Sequence, residues 1–135
     1  MTTYLIVSIA SGVLFGVLDG FIHANPLAQR LYSVYSSIAR ATINPAAGIA
    51  IDLTYGFIMA AVFLLLYHSL PGETGIVKGL SFAILVWFFR VVMSAASTWI
   101  MFNIPIPTLI YNLVAGLVEI LVLGILYGLT LKPMT

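Results

Sequence analysis

Four of the nine charged residues in this chain fall inside stretches that are otherwise apolar enough to cross a membrane. Asp19, Asp52, Arg90 and Glu119 occupy one such stretch each. A charge at bilayer depth costs roughly 2.5–3.5 kcal/mol on insertion scales. A chain that carries four of them must gather them together or give them water. The fold expected is therefore a bundle of helices with a polar interior.

Composition points the same way. Of 135 residues, 62% are hydrophobic and 7% charged, against about a quarter charged in a soluble domain. Polar groups are too few to cover a water-facing surface, so the expected solvent is a lipid bilayer, that of a bacterial or archaeal inner (cell) membrane. The length suits one membrane domain, residues 1–135, with no separate soluble module. A net charge of +1 gives no reason to expect a nucleic-acid partner. The absence of cysteine excludes disulfides, thiolate metal sites and redox dithiols. The start, Met1-Thr2-Thr3-Tyr4, lacks the positive region of a secretory signal, so the first apolar segment reads as a retained span.

Spanning helices need about 20 mostly apolar residues, and four windows qualify, at about 4–23, 45–69, 76–102 and 108–131. Asn44-Pro45 opens the second as a cap followed by proline in the first turn. The short links between spans 2 and 3 and between spans 3 and 4 predict antiparallel hairpins. Between spans 1 and 2, Asn25-Pro26 again reads as a cap. Leu27, Leu31, Val34 and Ile38 then recur at helical spacing opposite Gln29, Arg30, Ser33, Ser36, Ser37 and Arg40. This predicts an amphipathic helix over about 26–41. It lies either in the headgroup plane or against the bundle as an ordered connector. Four spans place both termini on one side. Arg30 and Arg40 nearly balance Lys78, Lys132 and the terminal amine, which Glu73 offsets. The orientation expected has both termini in the cytoplasm.

Small residues at four-residue spacing mark packing faces, because they let backbones approach closely in lipid. Span 1 carries Ser8, Gly12, Gly16 and Gly20. Span 2 carries Gly48, Gly56 and Ala60, and span 4 carries Gly116, Gly124 and Gly128. These stripes serve packing within one bundle, or at least one of them, with span 4 the first choice, serves a homo-oligomer or a larger membrane complex. Trp99 suits an interfacial position and Trp87 packing.

Depth follows from a rise of about 1.5 Å per residue. With the loop between spans 1 and 2 as the upper face, Asp19 and Asp52 lie about 7–8 Å above the midplane, and Arg90 and Glu119 lie near it. His23 follows Asp19 by four residues, Tyr55 follows Asp52 by three, and Asn112 shares a face with Glu119. Ser94 and Thr98 stand above Arg90. The expectation is a polar pocket in the upper half, made of Asp19, His23, Asp52, Tyr55, Arg90, Asn112 and Glu119. The lower half, with Leu64, Leu65, Leu66, Leu121, Val122 and Leu123, is expected to be apolar. Three carboxylates face one guanidinium, which can pair with one or two of them through its planar fork. The acid left over must hold a proton or a cation, or belong to a purely structural network.

No cofactor is expected. Haem and a divalent metal stay open, although His23 and His68 sit at opposite ends and cannot share one haem. Asp19, His23 and Asp52 form the metal candidate set. No nucleophile stands beside a base, and no GxSxG, HExxH, P-loop or dinucleotide fingerprint occurs, so enzymatic activity is not the expectation. In length and span number the chain is similar to the small multidrug resistance transporters, which keep a membrane-embedded glutamate near the start of their first span. Here the first-span acid is Asp19, near the far end, and the glutamate lies in span 4. The fluoride channels are of similar size, but their motif residues are missing. Neither family is assigned. The function expected is binding or movement of a small solute, ion or proton through the Asp/Glu/Arg pocket, with His23 at its mouth. The alternative is a non-catalytic accessory subunit of a larger membrane complex.

Overall fold

The computed structural model describes residues 2–35 and 44–132. All of its regular structure is helical, and four helices are long and apolar enough to cross a membrane. Helix α1 covers Thr2–Ala24, α2 Pro26–Leu31 and α3 Pro45–Leu66. A 3-10 turn at Tyr32–Tyr35 follows α2, and another at Tyr67–Ser69 follows α3. The third long helix joins α4 (Gly75–Trp87) to α5 (Met93–Met101) through a π-turn at Phe88–Val92. Helix α6 covers Ile106–Thr130. The four long helices are called spans 1 to 4 below.

Both Asn-Pro signals act as caps. The Asn25 side-chain oxygen accepts from the Ala28 amide at 2.8 Å, and that of Asn44 accepts from Ala46 at 3.0 Å. The amphipathic segment differs from expectation. Its helix is six residues long and tightens into the 3-10 turn, and residues 36–41 lie outside the described region. It docks on span 4. Ala28 is fully buried, the Thr108 hydroxyl donates to the Leu31 carbonyl at 2.6 Å, and the Asn25 amide donates to the Tyr111 hydroxyl at 3.0 Å. Leu27, placed on the apolar face by the sequence, is exposed. These hydrogen bonds tie the segment to the end of span 4.

Adjacency in the bundle follows the glycines, and it agrees with the short link for spans 3 and 4 but not for spans 2 and 3. Span 1 packs along span 2, span 3 along span 4, and spans 1 and 4 join the two pairs. A Cβ placed on Gly56 would stand 2.5 Å from the Ser8 carbonyl oxygen, and one on Gly12 2.9 Å from that of Asp52. In the second seam, a Cβ on Gly79 would meet the Gly124 oxygen at 2.0 Å, and one on Gly128 the Gly75 oxygen at 2.3 Å. Gly124 and Gly128 thus face span 3 of the same chain. Gly116 fits against Val91, and Gly16 against the Asp52 carboxylate. A Cβ on Gly20 or Gly48 would meet nothing within 4 Å among the described residues, so the close helix packing expected at these two positions is corrected: neither faces a neighbouring helix there at glycine-requiring distance.

The hairpin expected of spans 2 and 3 is looser than their short link suggested. Their backbones do not run closely side by side. They meet at the lower end, where Phe63 and Phe82 stack edge to face at 5.3 Å. There Lys78, only 9% exposed, donates to the carbonyls of Tyr67 (2.7 Å) and Leu70 (2.9 Å). These belong to the end of span 2, where helix carbonyls lack intrahelical partners and attract a cation. Above this clasp the two spans diverge.

Adding side chains in the glycine seam should therefore be costly. Gly79→Val is expected to lower stability by about 1–3 kcal/mol or more, because backbone cannot yield. Gly20→Ala and Gly48→Ala should be neutral, or should stabilise by up to about 1 kcal/mol through helix propensity. Unfolding in detergent micelles would measure both. Equal losses at all three positions would refute the assignment of the seams.

Candidate functional site

The three acids form a row that crosses the bundle. Asp52 sits on the seam of spans 1 and 2, in an outward groove of about 390 Å³ shared with Gly12, Gly16 and Ile49. Asp19, on span 1, is close enough to interact electrostatically with both Asp52 and Glu119. Glu119 is buried, with 4% exposure. Its Oε1 has no hydrogen-bond partner among the described residues. The one approach of a basic to an acidic side chain within 4.0 Å among the described residues is that of His23 Nδ1 to Asp19 at 3.6 Å, at the exposed upper end of span 1. The same nitrogen lies 2.9 Å from the Asp19 backbone oxygen.

Arg90 stands apart. All four acids of the chain lie in the described region, and none has an oxygen within 4.0 Å of the guanidinium. The pairing through the planar fork expected from the sequence is absent. The Arg90 Cζ instead lies 4.9 Å from the Tyr55 ring centroid and 5.2 Å from that of Phe15, and these two rings stack 4.5 Å apart. Such cation–π contacts are worth about 0.5–2 kcal/mol each. They use the charge but leave the five N–H donors open. The physical reason is the π-turn. The Met93 amide reaches back five residues to the Phe88 carbonyl, and span 3 leaves span 4 there. Val91 against Gly116 is a tight contact at that level, and α5 above it runs largely free of α6. The opening is a cavity of about 300 Å³ lined by Arg90, Val91, Ser94 and Asn112. A second opening of about 410 Å³ follows the divergence of spans 2 and 3, from Arg90 and Phe89 down to Leu66 and Phe82.

At the roof, the Tyr32 hydroxyl donates to the Asn112 side-chain oxygen at 3.3 Å. Burial, with smaller contributions from Tyr111, Tyr35 and Asp19, pushes the Tyr32 phenol up to about 12. It therefore stays a neutral donor throughout the physiological range. Tyr32 lies between the rings of His23 (5.2 Å) and Tyr111 (5.8 Å).

The lower half is less apolar than expected. Ser8 and Ser11 are fully buried, and so is Tyr127. Ser11 donates to the Ser8 carbonyl at 3.0 Å and lies beside the Tyr127 hydroxyl. Tyr4 donates to Phe57 O at 2.9 Å. The hydroxyls of Ser8, Tyr55 and Tyr127 have no partner among the described residues, like Glu119. A signal was present in the sequence: Ser8, Ser11, Phe15 and Asp19 follow one another at three- and four-residue spacing, one helical face. Treating Ser8 only as a small residue hid it. Trp87, expected to pack, also donates to the Leu113 carbonyl at 2.9 Å.

Among the described residues, no three His, Asp or Glu side chains gather closely enough to hold a metal. Asp19, His23 and Asp52 are therefore not assembled as a ligand set. No protein family, characterised protein or solved structure matches the chain.

An arginine without a carboxylate should be dispensable for folding. Arg90→Met is expected to change stability by no more than its ring contacts, about 0.5–2 kcal/mol. Breaking a buried ion pair would cost about 3–5 kcal/mol. Detergent-micelle unfolding of the variant separates the two. A loss in the larger range would mean that Arg90 is paired with an acid after all.

Proposed function

We propose that this chain is a four-span protein of a bacterial or archaeal cell membrane, with both termini in the cytoplasm, that binds and moves a small solute together with a proton. Glu119 is the proton site, Asp19 its neighbour toward the upper face, and Arg90 the fixed positive group of the solute site. Glu119 carries this reading. It is a carboxyl buried at 4% exposure, with, among the described residues, an unpartnered oxygen and no cation within 4 Å. An ionised acid is disfavoured in such surroundings, so the group holds a proton or recruits a cation. Two features support exchange rather than permanent burial. The row Glu119, Asp19, His23 leads to the upper end, where His23 is half exposed. The buried hydroxyls of Tyr55, Tyr127, Ser11 and Ser8 lead toward the lower end.

The competing reading, an accessory subunit, draws on exposed apolar faces of spans 2 and 3. Ile49 and Ile51 near the upper end of span 2, and Phe88 and Phe89 at the middle of span 3, are exposed and would serve as docking surface. Native mass measurement of the purified protein favours the carrier if it gives a small homogeneous species, and the subunit if it gives a stoichiometric larger complex.

Infrared difference spectroscopy in lipid vesicles tests the proton site. The C=O stretch of a protonated carboxylic acid is expected at neutral pH and should disappear in Glu119→Gln. A spectrum without that band, or one unchanged by the substitution, would overturn the assignment.

A further inference from the structure

We infer that the solute bound at Arg90 is a lipophilic organic acid: a single carboxylate on an alkyl or aromatic tail, with the carboxylate at the guanidinium and the tail in the groove between spans 2 and 3. This names the substrate class of the carrier proposed above and rests on that reading.

Charge is the first argument. Among the described residues no carboxylate lies within 4.0 Å of Arg90, and its exposed guanidinium makes no hydrogen bond to any of them. Five N–H groups at membrane depth demand acceptors, and the arrangement that suits a planar fork best is a carboxylate taking two parallel bonds. The Phe15 and Tyr55 rings hold the cation in place at 5.2 and 4.9 Å from their centroids and offer no acceptor of comparable strength.

The neighbours are the second argument. Besides Val91, the cavity of about 300 Å³ beside Arg90 offers a hydroxyl, Ser94, and an amide, Asn112. The Asn112 oxygen is taken by the Tyr32 hydroxyl, which turns the amide N–H groups toward the free side. The lining holds one cation, two neutral polar groups and no acid, so the site suits an anion better than a cation.

Shape is the third. The groove of about 410 Å³ leads away from the guanidinium between Tyr55, Met59 and Leu66 on one wall and Phe82, Val86 and Phe89 on the other. Tyr55 to Leu66 is eleven residues, about 16 Å of helix. The lining below Arg90 is apolar apart from the Tyr55 hydroxyl. A polar end at mid-depth with a tail running toward the lower face is the reverse of a lower-leaflet phospholipid, whose headgroup sits at the surface and whose chains end near the midplane. An upper-leaflet phospholipid would have to sink its headgroup well below the interface. A free acid with one small carboxylate meets neither obstacle.

Binding of a fluorescent long-chain fatty acid to the protein in phosphatidylcholine nanodiscs tests this, with the alcohol of equal chain length as the comparison. The wild type is expected to bind the acid about tenfold or more tightly than the alcohol, the margin of a charge-assisted pair. Arg90→Gln should erase that preference. Leu85→Trp, at an exposed position on the groove wall, should weaken acid and alcohol alike. Equal affinity of the wild type for acid and alcohol would overturn the inference, and so would a preference that survives Arg90→Gln. Displacement of the acid by phosphatidylglycerol nanodiscs, abolished in Arg90→Gln, would make the occupant a lipid headgroup and also overturn it. Glu119→Gln should leave the preference for the acid in place. Lost binding beside an intact Glu119 infrared band thus removes only this inference, and intact binding without that band removes only the carrier's proton site.

Discussion

A Cβ on Gly79 would stand 2.0 Å from the Gly124 carbonyl oxygen, and one on Gly56 would stand 2.5 Å from that of Ser8. At both positions the obstacle is backbone, with no side chain free to give way, so only glycine allows the helices to lie this close. Between helices in an apolar solvent, hydrophobic burial contributes little, and close packing with dispersion carries association. The two glycine seams therefore decide which helices are partners. Once span 2 lies on span 1 and span 3 on span 4, no glycine face remains to bring spans 2 and 3 together. Their junction depends on Phe63, Phe82 and the Lys78 ammonium at the lower end. Above that clasp they separate, and Arg90 lies where they do. The groove is a consequence of where the glycines are.

The charges divide along the same lines. Asp52, Asp19 and Glu119 run along the side made by spans 1, 2 and 4, while the guanidinium sits over Phe15 and Tyr55 at the edge of span 3. An internal ion pair would have given each partner a counter-charge and closed both to visitors. Keeping them apart leaves an acid with an unpartnered oxygen and a base with open donors, each costly to hold in an apolar medium. Stability alone gives no reason for that arrangement. The π-turn at Phe88–Val92 belongs to the same pattern, because such turns trade regular hydrogen bonding for the placement of particular side chains.

Much of this was legible in the sequence, and the failures have physical causes. The four long helices follow from hydropathy over windows longer than a bilayer is thick, and the Asn25-Pro26 and Asn44-Pro45 caps follow from local chemistry. Neither depends on tertiary context. The short link predicts the neighbours for spans 3 and 4, which do pack together, and fails only for spans 2 and 3, where loop length does not decide adjacency. Gly75 and Gly79, the half of the seam contributed by span 3, went unnoticed beside the span 4 stripe they complement. Lys78 looked like a loop charge because its partners are backbone carbonyls, which carry no sequence signal. The Arg90 pairing failed for a subtler reason. Counting charges says how many partners are available, but the rotation of a helix decides which of them are reached. Here a π-turn, invisible to a regular 3.6-residue period, alters that rotation at the residue in question.

Tyr55 connects the two halves of the proposed mechanism. Its ring faces the Arg90 guanidinium at 4.9 Å, and the residue feels the charges of both Arg90 and Glu119. In the proposed carrier, a carboxylate bound at Arg90 would offset the guanidinium charge that Glu119 meets, so the anion and a proton on Glu119 would favour each other's presence. The coupling is reciprocal by thermodynamic necessity: protonation of Glu119 strengthens anion binding as much as the anion strengthens protonation. The loaded site then holds one anion and one proton and is nearer to neutral than either half-loaded state. A neutral cargo is the kind that crosses an apolar lower half at least cost, so holding the acid and the base apart across an aromatic layer suits a carrier better than pairing them would.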